Sequence, residues 1–341
     1  SFGRAYVKSR SSDSFNASLK DVIRPIDISV SNCATITVRK DAVPDDAQQF
    51  TFVASTEIDP DPFALVDDGD GTADRRTYTD RYRGTYMVEE LPAAGWDLTD
   101  VSCTGPGTPE TDGTGEWTGR VALDVAPGDT VDCVFTNTRR GRIVVDKVTL
   151  PAGALQSFPF TLSGGPDALT TTFSLADGDT PFDSQGILPG VYTLAESPAV
   201  AGWDLTSATC DDGSPIDAID VAPGETVTCT FVNTKRGRIV TDKVTLPAGD
   251  TTLFDFTFRG GPDGFDRTFR IADGWNPDDS GVVRPGVYAL AEADAGDAWD
   301  LTSANCSDGS PVDAIELAPG ETVTCTFTNT KRGKIVTDKA T

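Results

Sequence analysis

Arg140-Gly141-Arg142-Ile143-Val144 returns as Arg236-Gly237-Arg238-Ile239-Val240 and again as Arg332-Gly333-Lys334-Ile335-Val336, each copy 96 residues after the one before. Working outward, two further strings keep the same period. Ala201-Gly202-Trp203-Asp204-Leu205-Thr206-Ser207 has its counterpart around Trp299, and Cys229-Thr230-Phe231-Val232-Asn233-Thr234 recurs over 325–330. A fixed long period marks a string of like modules. A more divergent copy comes first, through Ile36-Thr37-Val38-Arg39-Lys40, Gly95-Trp96-Asp97-Leu98-Thr99 and Cys133-Val134-Phe135-Thr136-Asn137. Its cysteines at 103 and 133 stand 30 residues apart, against 19 in the later copies, and the added residues fall within 104–120, whose composition reads as an enlarged loop.

The repeats therefore occupy 34–140, 141–236 and 237–332, and residues 333–341 hold the first strand of a further, incomplete copy. Residues 1–33 lie outside the pattern, as the tail of an upstream domain or a linker; within them 13–23 predict a short helix capped by Asp13 or Ser14 and ended by Pro25. Inside each repeat, short alternating runs are separated by turn signals such as Gly164-Gly165-Pro166-Asp167, Gly260-Gly261-Pro262-Asp263 and Leu188-Pro189-Gly190. Several short strands in about 100 residues, with no helical period, predict an all-β fold of tandem antiparallel, Ig-like β-sandwiches. The junctions are so short that a fairly stiff rod is expected, growing roughly 30–40 Å per module.

Composition removes several function classes. With 28 basic and 53 acidic residues the net charge is −25, which repels nucleic acid and anionic membrane. Histidine is absent, and with it the commonest general base, the usual zinc ligand and every Ser-His or Cys-His dyad. No apolar run is long enough to span a membrane, so no membrane insertion is expected in this segment. An enzyme acting on an external substrate is the least favoured class. None of the seven cysteines forms a CxxC pair, and the last six fall two to a repeat, which points to disulfides and an oxidising compartment.

Alternation assigns facing along each strand. In the first repeat Ile36, Val38 and Lys40 share one face; Val131, Cys133, Phe135 and Asn137 share another, as do Tyr86, Val88 and Glu90. The same positions are Lys147, Glu196 and Asn233 in the second repeat and Lys243, Glu292 and Asn329 in the third. Lys243 faces less regularly, because Thr241 lies on its side and Val240 on the other. An unpaired buried charge costs several kcal/mol, so the three groups must answer to one another. They do so either as a hydrogen-bonded Lys-Glu pair with Asn finishing a turn, or as reactants. A desolvated lysine loses its proton readily and becomes a nucleophile toward the Asn amide, with a neutral Glu shuttling protons.

The Ile-Val-Val-Asp-Lys run at 143–147, the Gly-Val-Tyr-Thr-Leu-Ala-Glu run at 190–196 and the Phe-Val-Asn at 231–233 resemble the Cna-B, or SpaA-like, prealbumin-fold domains of Gram-positive surface proteins and pilins. The resemblance spans about 300 residues of the chain. It implies intradomain isopeptide bonds joining Lys40 with Asn137, Lys147 with Asn233 and Lys243 with Asn329, promoted by Glu90, Glu196 and Glu292. The chain departs from that family's usual pattern by carrying a cysteine pair in each repeat. The pairs expected are Cys103 with Cys133, Cys210 with Cys229 and Cys306 with Cys325, against the alternative of free buried thiols; Cys33 stays unpaired.

Weaker signals remain. Asp67-Asp68-Gly69-Asp70-Gly71-Thr72-Ala73-Asp74 resembles part of a calcium loop but lacks its closing Glu, so a solvated acidic turn is favoured over Ca2+. Asn16-Ala17-Ser18 is a glycosylation triplet. Trp96, Trp203 and Trp299 read as core or rim packing, and Arg139-Arg140 and Lys235-Arg236 as solvated linkers. The expected function is a stalk or spacer in a cell-surface protein, cell wall or extracellular filament, whose partners are neighbouring copies or further repeats. The alternatives are a filament subunit polymerising by strand exchange through 333–339, and an adhesin binding a host or matrix protein or glycan through its loops, with exposed Trp117 on the enlarged loop.

Overall fold

The computed structural model describes residues 33–55 and 58–337. The helix expected at 13–23, the glycosylation triplet and residues 338–341 lie outside the described residues.

Each repeat is two β-sheets packed face to face. The first repeat contains β1 (Ala34–Val43), β2 (Asp46–Ala54), β3 (Phe63–Asp67), β4 (Arg75–Arg81), β5 (Gly84–Glu90), β6 (Trp96–Thr104), β7 (Gly107–Thr111), β8 (Trp117–Val125) and β9 (Thr130–Arg139). The second contains β10 (Arg142–Leu150), β11 (Phe158–Gly164), β12 (Leu169–Leu175), β13 (Phe182–Asp183), β14 (Gly190–Glu196), β15 (Trp203–Cys210), β16 (Ile219–Val221) and β17 (Thr226–Lys235). The third repeats that plan in β18 (Gly237–Leu246), β19 (Phe254–Gly260), β20 (Phe265–Ile271), β21 (Asp278–Val283), β22 (Gly286–Glu292), β23 (Trp299–Cys306), β24 (Ile315–Leu317) and β25 (Thr322–Lys331). No helix occurs among the described residues.

One sheet of each repeat runs β4-β1-β9-β6, β13-β10-β17-β15 or β21-β18-β25-β23. The other runs β3-β2-β5-β8-β7, β12-β11-β14-β16 or β20-β19-β22-β24. The expected antiparallel pairing holds except at one place in each repeat. The first and last strands lie side by side and parallel at the centre of their sheet.

The cores follow from alternation. Phe160 and Phe231, from facing sheets, meet edge to face at 5.1 Å, as do Phe52 with Phe135 at 5.2 Å and Phe256 with Phe327 at 5.1 Å. All six are essentially inaccessible, and burying a side chain of this size stabilises by about 1.5–3 kcal/mol. The conserved plan extends to the Gly-Gly-Pro-Asp turns between β11 and β12 and between β19 and β20. Gly165 has φ +72°, and a Cβ there would lie 2.3 Å from the Tyr192 hydroxyl, which donates to the Leu188 carbonyl at 2.6 Å. Only glycine fits that position.

The chain divides between Arg140 and Gly141 into two compact units, the second holding both later repeats. Within that second unit the repeats are tied at residue level. Asp204 accepts from Arg236 at 2.9 and 2.7 Å and lies 3.5 Å from Arg284, which reaches Asp263 at 3.1 Å. Gly320 N–H donates to the Lys235 carbonyl at 3.0 Å. Residues 333–337 are in no strand, and Ile335 and Val336 are 91% and 78% exposed, so the strand expected there is not formed among the described residues.

Candidate functional site

Parallel pairing of first and last strands brings the lysine and asparagine together. Lys40 sits opposite Phe135 and Ala42 opposite Asn137. Lys147 and Lys243 sit opposite Phe231 and Phe327, with Asn233 and Asn329 two positions further on. Two residues is one side-chain period of a strand, so each Lys and Asn point into the same interior. Glu90, Glu196 and Glu292 close β5, β14 and β22 on the facing sheet, beside Phe52, Phe160 and Phe256. The uneven facing of Lys243 resolves in the same way, because Thr241 is itself buried on the core side.

The lysines, the asparagines and Glu90 are held away from water, while Glu196 and Glu292 are half-buried. Lys40, Lys147 and Lys243 and their asparagines are buried, each 3% exposed or less. In the first repeat Lys40 Nζ donates to Asn137 Oδ1 at 2.8 Å and to the Phe135 carbonyl at 2.7 Å, and lies over the Phe50 ring at 4.3 Å. In the third, Lys243 Nζ donates to Asn329 Oδ1 at 2.7 Å and stands 3.7 Å from Glu292, whose carboxylate accepts from Asn329 Nδ2 at 2.6 Å. The second repeat is arranged differently. Asn233 Nδ2 donates to Glu196 at 2.6 Å, while Lys147 Nζ is held by the Val148 and Phe231 carbonyls at 2.7 and 3.3 Å and Asn233 Oδ1 has no partner.

Burial shifts both titrating groups toward neutrality. Loss of water pulls Lys40 down to about 8 against the opposing pull of Glu90, and pushes Glu90 up to about 7 against Lys40 and Asn137. Burial likewise lowers Lys147 and Lys243 and raises Glu196 and Glu292. A neutral amine beside an amide carbonyl, with a protonated carboxyl on the amide nitrogen, holds the components of amide exchange. In such an exchange the amine nitrogen would bond to the Asn Cγ, the C–N bond to the side-chain NH2 would break, the carboxyl would supply the proton that lets ammonia leave, and the lysine would return one to the carboxylate. With Nζ 2.7–2.8 Å from Oδ1 in repeats one and three, Cγ is one carbonyl bond of about 1.2 Å beyond.

A disulfide accompanies each trio. Cys103–Cys133, Cys210–Cys229 and Cys306–Cys325 join directly opposed residues of β6 and β9, β15 and β17, and β23 and β25, with Cα–Cα distances of 4.1, 4.0 and 3.9 Å. Each fixes the last strand to its antiparallel neighbour, as the first strand fixes it on the other side. Cys33 is half-buried and free.

Other residues take roles that the sequence did not disclose. Asp177 accepts from Thr149 N, Thr149 Oγ1 and Gly153 N at 3.2, 2.8 and 2.6 Å, and Asp273 repeats this on Thr245 and Gly249. These carboxylates clamp the chain just beyond the lysine, and the hydrogen bonds hold their pKa low. Asp67, in the acidic run that resembled a calcium loop, accepts from Ala42 N at 2.8 Å. Among the described residues no three acidic, Cys or His side chains converge to hold a metal ion. The junction arginines are not free solvated linkers: Arg140 and Arg236 each make a two-pronged pair with the Asp of the Trp-Asp motif, Asp97 or Asp204. Trp96, Trp203 and Trp299 pack edge-on against Phe50, Phe158 and Phe254 at 5.3–5.5 Å. Trp117 is half-buried against the first core rather than exposed, and donates from Nε1 to the Thr99 carbonyl at 3.2 Å.

Two family models, each described as a prealbumin-like fold domain, match the chain, SpaA_4 over residues 36–139 and 143–235 and SpaA_2 over 239–327. No curated protein matches it. Solved structures similar to it include the Bacillus anthracis TIE protein, at 17% identity over 88% of this chain and 51% of that one, with a TM-score of 0.38. BcpA, the major pilin subunit of Bacillus cereus, is 12% identical over 88% of this chain and 99% of its own, with a TM-score of 0.38. The pilus adhesin SpaC from Lactobacillus rhamnosus GG, in its open conformation, is 13% identical over 89% of this chain and 44% of its own, at a TM-score of 0.25. The chain spans about half the length of the TIE and SpaC structures, 51% and 44%. With three matched segments covering most of its described residues, the chain belongs to the family of SpaA-type prealbumin-like fold domains.

Proposed function

We propose that the chain is a structural stalk or spacer segment of an extracellular surface protein or filament, and that each repeat is closed by a Lys–Asn isopeptide in addition to its disulfide. The observation that carries this reading is the threefold recurrence of Lys, Asn and Glu on the adjacent first and last strands and the strand facing them. A buried lysine kept merely for packing would be replaced by an apolar residue at no cost to stability. Here a reactive set stands where a cross-link would join the two ends of a module. The disulfides support an oxidising, extracellular setting. Its partners on this reading are neighbouring copies or further repeats, and the chemistry acts on the chain itself rather than on an external substrate.

The test is intact mass. Each isopeptide removes one ammonia and does not return it, whereas each disulfide gains two hydrogens on reduction. The expected result is a reduced chain lighter than its sequence by three ammonia masses, and by two in Lys243→Met. A reduced chain at full sequence mass sinks the isopeptide part of the proposal.

A further inference from the structure

In every repeat the first strand carries its lysine past the end of one neighbouring strand. β18 pairs with β25 as far as Leu246, but with β21 only as far as Thr241. β10 pairs with β17 through Leu150 and with β13 only at Val144 and Val145. β1 runs beside β9 through Val43 but beside β4 only to Arg39. The lysine, and the residue opposite the asparagine, thus lie on a stretch with one open edge. Backbone N–H groups on such an edge need acceptors, and a strand end without them frays.

Aspartates close that edge. Lys243 N–H donates to Asp242 Oδ1 at 2.9 Å and Thr245 N–H to Asp273 at 3.1 Å. Asp273 also accepts from the Thr245 hydroxyl and the Gly249 N–H, both at 2.7 Å. Asp146 and Asp177 hold Lys147 and Thr149 in the same way. In the first repeat Lys40 N–H donates to the Asp74 carbonyl at 2.7 Å and Ala42 N–H to Asp67 at 2.8 Å. Asp67, Asp177 and Asp273 share one origin. Asp67 closes β3, and the other two follow shortly after β12 and β20, so all three stand at the end of an edge strand of the facing sheet. Each ties that sheet to Ala42, Thr149 or Thr245, the residue directly opposite the asparagine. Burial lowers the pKa of Lys243, and the carboxylates that face it, Glu292, Asp273 and Asp242, pull the other way. A negative charge there disfavours the neutral amine, so what Asp273 can offer the reaction is geometry.

We propose that Asp67, Asp177 and Asp273 are positioning residues for the Lys–Asn cross-link, each fixing the end of the first strand so that amine and amide meet within bonding reach. The assignment rests on the cross-link reading above. A strand end free to shift carries the lysine away from its asparagine, and a misplacement of about 1 Å can cost such a reaction on the order of 10²-fold. A slip of one residue would turn the lysine to the outer face altogether. The aspartates act through the strand and not on the reacting atoms, and the glutamate remains the proton carrier.

The test is a time course of cross-linking in the full chain refolded from denaturant. The peptide joining Lys243 to Asn329 is followed by mass in a protease digest, with the first two repeats as internal references. Asp273→Ala is expected to slow the third repeat by about tenfold or more and to leave the others unchanged. Asp273→Asn keeps an acceptor oxygen and loses the charge. It should restore most of the rate and move the acid limb of the pH profile to lower pH, because the lysine has lost one of the carboxylates that raise it. Thr245→Val, which removes only the hydroxyl bond, should slow the repeat less than Asp273→Ala. A third repeat that cross-links at the unsubstituted rate in Asp273→Ala overturns the assignment, and so does an Asn variant as slow as the Ala one. Where Asp273→Ala fails to fold, an unslowed Thr245→Val overturns it instead. Full sequence mass in the unsubstituted chain would remove the cross-link reading, and this assignment with it, whereas the variant rates bear on the assignment alone.

Discussion

Lys40 and Glu90 are drawn toward each other's range, the amine down to about 8 and the carboxyl up to about 7, because burial penalises both charged forms. The reactive microstate has a neutral lysine and a protonated glutamate. It carries the same number of protons as the ion pair, so its population follows the pair rather than either residue alone. Raising the pH from 5 favours it by deprotonating the lysine, until the glutamic proton is lost as well. Ammonia release in the first repeat is therefore expected to peak near pH 7–8 and to fall roughly tenfold per unit on either side. The check is a time course of intact mass after a chain made cell-free in denaturant is diluted into buffers from pH 5 to 10. Glu90→Gln, which cannot supply the proton, should slow that repeat by about 10²–10⁴-fold, the usual contribution of general acid–base catalysis. A flat profile, or an unslowed Gln variant, removes Glu90 from the chemistry.

At the scale of elements, the last strand of each repeat is the one most firmly held. β17 pairs parallel with β10 on one side and antiparallel with β15 on the other, where Cys210 and Cys229 close a 19-residue separation. In the loop-entropy account such a closure stabilises by about 3 kcal/mol. Replacing both cysteines by alanine should lower the melting temperature of the second repeat by roughly 10–20 °C, read by calorimetry against the other two repeats as internal references. No change would mean that the disulfide closes a loop already ordered in the unfolded chain. Much of this architecture was legible in the sequence, because alternation alone turned Val131, Cys133, Phe135 and Asn137 inward, where they are indeed buried. What could not be read was the partner across the sheet. An antiparallel neighbour leaves a turn between the two strands, but β1 and β9 are parallel and lie at opposite ends of the module, with no local sequence mark. The Asp177 and Asp273 clamps were hidden for a related reason, since a short acidic turn looks alike whether it faces water or caps a strand. Trp117 looked exposed because a Gly- and Thr-rich surround reads as loop, although β7 and β8 pair there.

Across the whole molecule, the adjacency of first and last strands decides how tension would pass. Pulling on the two ends of a repeat loads the β18 and β25 ladder lengthwise, in shear along nine paired positions. A bond from Lys243 to Asn329 would carry that load directly across a sequence separation of 86 and leave the residues between them slack. In the first repeat the same bond from Lys40 to Asn137 would span a sequence separation of 97. Single-molecule pulling then separates the states by length. A reduced chain carrying Lys40→Met, Lys147→Met and Lys243→Met should release about 280–310 Å per 96-residue repeat, the extended chain at about 3.3–3.6 Å per residue less a folded module of roughly 30–40 Å. With the disulfides intact, the later repeats should each release about 65 Å less, for their 19-residue separations, and the first about 100 Å less, for its 30. The unsubstituted chain should release almost none of the bypassed length under either redox condition, because an isopeptide is indifferent to reduction. Three full-length steps from the unsubstituted, reduced chain would instead leave Lys, Asn and Glu as a buried hydrogen-bonded set, with the disulfides as the only covalent closure.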